Sequence, residues 1–175
     1  MTITIRHAEP EDYAAIATIY AAPRAAAGTL QIPVQSVEVW KQRLSTKAPQ
    51  DRILVAELNG EVVGNLGLHP VTNIRRSHAA GIGMGVRDDA QGQGVGTALV
   101  KAAVDLADNW LHLLRLELTV WADNEVAQRL YARHGFVLEG THKAYALRHG
   151  KYVDAHAMAR LHPAPPTLTA PRNNQ

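Results

Sequence analysis

The stretch GIGMGVRDDAQGQGVGTAL, Gly81 to Leu99, reads as a strand, a polar turn, a glycine loop and the start of a helix. Glycine alternates with Ile82, Met84 and Val86, which describes a strand with one bare face. Arg87-Asp88-Asp89-Ala90 turns the chain, and Gln91-Gly92-Gln93-Gly94-Val95-Gly96-Thr97 runs into an apolar helix that begins near Ala98. A bare backbone lets an anion come close. The free N–H groups of a first helical turn, at the positive end of the dipole, point at it. The stretch therefore predicts a site for a phosphate-bearing ligand.

Downstream of it, Val95, Leu99, Ala103, Leu106 and Trp110 fall near one helical stripe, and Leu114 to Trp121 alternates as a strand. Asp123 or Asn124 caps a short helix, Glu125 to His134, which Gly135 stops. Phe136 to Leu147 and Tyr152 to Leu161 are strands joined by Arg148-His149-Gly150-Lys151. Upstream, a loop with Arg75 and Arg76 leads into the strand Ala79 to Val86. Before that, Arg52 to Leu58 and Glu61 to Leu68 form a hairpin on Asn59-Gly60. Thr2 to His7 alternates with Ile3 and Ile5 on one face. A helix starts in Ala8-Glu9-Pro10-Glu11-Asp12 and runs to Tyr20, with Ile16, Ile19 and Tyr20 as its buried stripe. Residues 23–35, with two prolines and a glycine, predict a loop. Ser36 caps a further helix carrying Val37, Trp40 and Leu44. This order predicts one α/β domain over residues 1–162, a mixed sheet with helices on both faces. The proline-rich residues 163–175 predict a disordered tail.

A chain of 175 residues suits one domain, and 46% hydrophobic with 19% charged residues is the balance of a folded globular protein. The net charge of +2 is too small to argue for nucleic acid or a membrane surface, even with an isoelectric point near 9.0. Cysteine is absent, which removes disulfides, thiolate metal sites and a cysteine nucleophile together. The amino terminus lacks the apolar core of a signal peptide, and no uncharged apolar run approaches the ~18 residues of a membrane span. The expectation is a cytoplasmic protein without metal, nucleic acid or membrane.

Three phosphate-loop patterns can be laid on Gly92 to Thr97. A P-loop needs GxxxxGK[ST], and no lysine stands in that place. A dinucleotide fingerprint needs GxGxxG, but Gly94-Val95-Gly96 is followed by Thr97-Ala98-Leu99, without a third glycine or a ribose-binding acid. The third pattern, Q/R-x-x-G-x-G/A, is met by Gln91-x-x-Gly94-x-Gly96. Further along stands Asn124-x-x-Ala127-x-x-Leu130-Tyr131-x-x-x-Gly135-Phe136. Taken alone, the loop also fits a glycine turn that simply packs a helix on a strand.

The two runs in this order resemble the cofactor motifs of the GCN5-related N-acetyltransferases, the GNAT family, and the resemblance covers residues 1–162. It implies a mixed, mostly antiparallel central sheet of about seven strands with helices on both faces, and acetyl-coenzyme A as co-substrate. Thr29-Leu30-Gln31-Ile32-Pro33, Arg75-Arg76-Ser77-His78, Asp108-Asn109-Trp110 and Lys143-x-Tyr145-Ala146-Leu147-Arg148-x-Gly150-x-Tyr152-Val153-Asp154-Ala155 resemble the bacterial L-amino acid N-acetyltransferase branch. That implies transfer of an acetyl group to a small-molecule amine, an L-amino acid with an apolar side chain. A peptide amino terminus, a polyamine, an antibiotic amine and a non-catalytic acyl-coenzyme A sensor are the alternatives. A homodimer is also possible.

By the resemblance, the backbone of Met84, Gly85 and Val86 holds the pantetheine arm like an added strand, beside a bulge that Gly83 and Gly85 favour. Gln91, Gly92, Gln93, Gly94, Val95, Gly96 and Thr97 hold the pyrophosphate, and Asn124 bonds the pantetheine while capping its helix. Tyr131 is the general acid to the coenzyme A sulfur, a phenol of pKa ~10 staying protonated until a thiolate needs it. The family often places an acidic base near the position of Gly81, which here is glycine. His78, Glu117, Asp123 or a base acting through water remain, and His78 titrates in the useful range. Thr29, Leu30 and Gln31 shape the acceptor pocket, and Arg75 and Arg76 pair with an acceptor carboxylate. The plainer readings are ordinary strand positions for Met84 and Val86, a core tyrosine for Tyr131 and solvated arginines for Arg75 and Arg76.

Overall fold

The computed structural model describes residues 2–167. Seven strands form one sheet: β1 (Ile3–His7), β2 (Arg52–Leu58), β3 (Glu61–Pro70), β4 (Ala79–Val86), β5 (Arg115–Trp121), β6 (Val137–Arg148) and β7 (Lys151–Leu161). Their spatial order is β1-β2-β3-β4-β5-β7-β6, antiparallel throughout except for the parallel pair β4–β5. The expected mixed, mostly antiparallel sheet is therefore present. Alternation along β2 sends Leu54, Ala56 and Leu58 to one face and Val55 to the other, so each face carries its own apolar layer.

One layer is closed by α1 (Tyr13–Ala21), α2 (Pro23–Ala27) and α3 (Val37–Ser45). Ile16, Ile19 and Tyr20 of α1 pack there on Val55, with Trp40 and Leu44 of α3 alongside. Ser36 caps α3 through its Oγ, which accepts from the Glu38 N–H at 3.2 Å. The other layer lies under α4 (Val95–Asn109) and α5 (Glu125–Arg133), where Val95, Leu99, Val100, Ala103 and Ala107 are buried. Helices on both faces agree with the sequence pattern.

Three details differ from it. Residues 23–35, expected as a loop, contain α2. Pro23 stands in its first turn, three alanines follow, and the missing cap arrives from a distant part of the chain. The Asp88 carboxylate accepts from the Arg24 and Ala25 N–H groups, both at 2.9 Å. Trp110, expected on the buried stripe of α4, is 75% exposed, because the helix ends at Asn109 and the chain turns away. β3 runs on to Pro70 instead of stopping at Leu68, which brings His69 into the sheet. Of the proline-rich segment 163–175, residues 163–167 carry no helix or strand, and residues 168–175 lie outside the described residues.

Candidate active site

β4 and β5 pair only from Ala79↔Arg115 to Gly81↔Glu117, and beyond Gly81 the two strands part. Their separation exposes the backbone edge of the C-terminal half of β4. The register of β4 against β3 runs unbroken from Pro70↔Ala80 to Gly64↔Val86, so the bulge expected at Gly83 and Gly85 is absent. The opening lies wholly on the β5 side, because β4 keeps every partner it has in β3.

A cleft of about 1160 Å³ fills this wedge. Met84, Gly85 and Val86 form its floor, and the loop after β4 forms one end. Gly92 and Gly94 take φ of +75° and +88°, which lets the loop fold tightly and start α4 beside the cleft. The first helical bond runs from the Ala98 N–H to the Gly94 carbonyl at 3.0 Å. The N–H groups of Val95, Gly96 and Thr97 precede it and have no helical acceptor. A side chain on Gly96 would stand 3.2 Å from Leu130 and 3.4 Å from Met84, so glycine lets α4 start this close to both. The Gln91 side chain braces the loop by donating to the Val86 carbonyl at 3.1 Å. Bare glycines, free N–H groups and a helix dipole together suit a pyrophosphate, and the open β4 edge suits an extended amide-bearing arm.

Asn124 and Tyr131 face the same space from α5. The Asn124 Oδ1 accepts from the Ala127 N–H at 3.1 Å, so the residue caps the helix and still presents its amide nitrogen. Tyr131 packs against Phe136 at 5.7 Å between ring centroids, and burial pushes its phenol up to about 12. It therefore remains a proton donor across the neutral range.

The far end of the cleft is closed by Thr29, Leu30 and Gln31 and by α1 and α3. Tyr20 and Trp40 stack there at 4.5 Å, with Arg43 lying 4.7 Å over the outer face of Trp40. Arg43 also donates to Gln31 at 2.7 Å, and Tyr20 donates to the buried Asn65 at 3.1 Å. Among the described residues that line the cleft, Arg24, Arg43, Lys47 and Arg133 are cations and Asp51 is the only carboxylate.

Four of the expected residues do not meet in this space. The Gln93 side chain turns away and donates to the Asp89 carbonyl at 2.8 Å. His78, expected as a base, stands exposed at the opposite end of β4, where β4 and β5 are still paired. Its carbonyl accepts from Leu114 and Arg115 at 2.8 and 3.1 Å. Arg75 and Arg76 lie in the exposed turn just before it, and Arg76 is taken up by the Glu117 carboxylate at 2.7 Å. The other two candidate bases are also committed to ion pairs. Burial pushes the Glu117 carboxyl up, but hydrogen bonds from Arg115 and Arg76 outweigh it and hold it below its ordinary value. A hydrogen bond from Arg148 lowers the exposed Asp123.

Sequence reading missed Asp51, His69 and the Arg43–Trp40–Tyr20 stack. One signal was available. Arg52↔Leu68 is the outermost pair of the Asn59-Gly60 hairpin, and counting one residue further places Asp51 opposite His69. The count must include the register shift at Ala56/Glu57, which nothing in the local sequence announces.

Comparison with known proteins gives a consistent picture. The family model described as the acetyltransferase (GNAT) family matches residues 26–136. The L-amino acid N-acetyltransferase AaaT of Escherichia coli K12 is 45% identical over 159 residues, covering 91% of this chain and 98% of that protein. The spermidine N(1)-acetyltransferase of the same organism is 31% identical over 105 residues, which is 60% of this chain and 55% of that protein. Among solved structures, a GNAT phosphinothricin acetyltransferase from Sinorhizobium meliloti in complex with acetyl-coenzyme A superposes with a TM-score of 0.82. It is 24% identical, with 92% of this chain and 89% of that one covered.

Proposed function

For this chain, which belongs to the GNAT acetyltransferase family and is an acetyl-coenzyme A-dependent N-acyltransferase, we propose that the acceptor is the α-amine of a small L-amino acid with an apolar side chain. The charge of the cleft carries this reading. Four cations against one carboxylate suit an anionic donor at one end and a carboxylate-bearing acceptor at the other, and they oppose a polycation such as a polyamine. Leu30, Trp40, Leu44 and Ile53 line the acceptor end with apolar surface, while Arg43 and Lys47 stand beside it for the carboxylate. The identity of the Escherichia coli relative, over nearly its full length, supports the same acceptor class.

Within this reading the residues divide the work. The N–H groups of Val95, Gly96 and Thr97 receive the pyrophosphate, and the free edge of β4 at Met84 and Val86 takes the pantetheine arm as an added strand. Direct transfer to the amine needs no covalent enzyme intermediate, in keeping with a chain that has no cysteine. As the thioester carbon–sulfur bond breaks, its electron pair leaves on sulfur. Tyr131, kept protonated by burial, supplies the proton that turns this thiolate into a thiol.

A thiol-release screen with acetyl-coenzyme A, the twenty amino acids and spermidine tests the acceptor. Release with methionine, leucine or phenylalanine above that with spermidine is expected, with loss of the signal when an amino alcohol replaces the amino acid. Release with spermidine and with no amino acid would overturn the proposal and leave the acyltransferase assignment standing.

A further inference from the structure

The position where an acidic base is expected on β4 is Gly81, and a side chain there would meet nothing within 4 Å. Directly across the β3–β4 register from Gly81 stands His69. Opposed residues in a sheet project to the same face, so the His69 side chain occupies the face that Gly81 leaves empty. Its Nδ1 lies 3.0 Å from the Asp51 Oδ2, and both residues line the cleft. The ring folds back over β3, and its Nε2 would stand 2.3 Å from a Cβ placed on Gly67. Gly67 pairs with Gly83, the neighbour of Met84 on the open edge of β4. The Nε2 therefore sits above a row of bare glycines, about one strand spacing (~4.8 Å) from β4. Among the described residues, Nε2 makes no hydrogen bond.

The geometry points to His69 as the general base that removes the proton of the acceptor ammonium, with Asp51 positioning its ring. It rests on the acyltransferase assignment and not on which amine is the acceptor. With the ring proton on Nδ1, 3.0 Å from the Asp51 Oδ2, the lone pair of the neutral imidazole lies on Nε2, above Gly67 in the wall of the cleft. The N–H bond of the ammonium breaks, its electron pair stays on nitrogen and the proton moves to Nε2. The freed pair forms the bond to the acetyl carbon while the carbon–sulfur bond breaks toward sulfur. The nitrogen then sheds a second proton, which replaces the one Tyr131 gives to sulfur. His69, with half of its side chain exposed at 52%, returns the first proton to water, so one proton is released per turnover.

The other titratable side chains of the cleft on this face are Tyr20 on α1, Arg43 on α3 and Lys47 after α3, while Arg52, which pairs with Leu68, projects to the other face of the sheet. Arg52 is held to the Pro49 and Asp51 carbonyls. From Ala79 to Val86, β4 brings no titratable side chain, and Glu117 beyond Gly81 is paired with Arg76 and Arg115.

Three variants and a pair of acceptors test the assignment: His69→Gln, Asp51→Asn and Gly67→Ala. Each is assayed with a protonated amine acceptor and with its aminoxy analogue, whose nitrogen is uncharged at neutral pH and needs no base. For His69→Gln, kcat with the amine falls about 100-fold and the acidic limb of the pH–rate profile disappears, while the aminoxy analogue is transferred nearly as fast as by the wild type. Asp51→Asn loses about tenfold with the amine. In Gly67→Ala the new methyl evicts the ring and reproduces the His69→Gln pattern with His69 still in the chain. Acetyl-coenzyme A binding, measured by calorimetry, and the thermal midpoint stay at wild-type values in the His69 and Gly67 variants, which separates loss of the base from misfolding. An unchanged kcat in His69→Gln, or equal losses with both acceptors, would overturn the proposal. A wild-type enzyme that is silent with every amino acid but active with another amine would sink the amino-acid reading alone, and the base would be assayed on that amine.

Discussion

The Tyr20 ring occupies the space that a side chain on Gly85 would need: its Cε1 lies 2.5 Å from the Cβ position. The ring is fixed from two other sides, by the stack on Trp40 at 4.5 Å and by the hydrogen bond to Asn65 at 3.1 Å. It joins α1 to the floor of the cleft and cannot step aside without breaking both contacts.

Gly85→Ala is therefore expected to destabilise the fold by about 1–3 kcal/mol, the usual range for overpacking a tight core. Gly83→Ala, whose Cβ would point into open space, should leave the urea midpoint near that of the wild type. Equal midpoints for the two variants would show that Tyr20 yields easily.

Tyr131→Phe keeps the ring packing on Phe136 and removes only the hydroxyl. Turnover should fall at least tenfold while acetyl-coenzyme A affinity, followed by calorimetry, stays within about twofold. Wild-type turnover in this variant would take the acid role from Tyr131.

Arg160 on β7 donates to both Asp108 oxygens on α4 at 2.8 and 2.7 Å, with side-chain exposures of only 9% and 15%. Replacing one partner strands the other charge in a poorly solvated place. Arg160→Met should lower stability by about 3 kcal/mol in urea titration, and the double variant Asp108→Leu with Arg160→Met should recover much of that loss.

Asp12 accepts from Arg6 at 2.7 and 2.9 Å and from the Glu9 N–H at 2.7 Å. The Arg6 hydrogen bond is the largest of the influences that hold its carboxyl below the ordinary value. A carboxylate with a depressed folded pKa contributes its full stability above the unfolded value of ~3.9 and loses it as the pH falls through the folded value. The stability gap between wild type and Asp12→Asn should be constant from about pH 5 to 7 and close as the pH drops below ~4. A gap that does not narrow as the pH falls below ~4 would show that Asp12 contributes through shape and not charge.

The glycine-loop end of the cleft was legible in the sequence because its information is local. Gln91, Gly94 and Gly96 act through backbone conformation and helix start, which a few adjacent residues decide, and the Asn124 cap and Tyr131 stand on one short helix. β1 to β5 were equally plain, since alternation and the Asn59-Gly60 turn are short-range signals. What failed was long-range. α2 owes its cap to Asp88, the pair of Asp51 and His69 depends on a register shift within the hairpin, and the positions of His78, Arg75 and Arg76 depend on which end of β4 opens.

By itself, then, the sequence determined the order and kind of the elements apart from α2, and the glycine loop that starts α4, because backbone geometry and hydrophobic period are written within a few residues. Only the tertiary structure decided the opposite end of the cleft. Parting β4 from β5 after Gly81 is a property of the whole sheet. It leaves His78 at the closed end, and the β3 pairing places His69 on the open face, so strand pairing and not residue type selects which histidine faces the cleft.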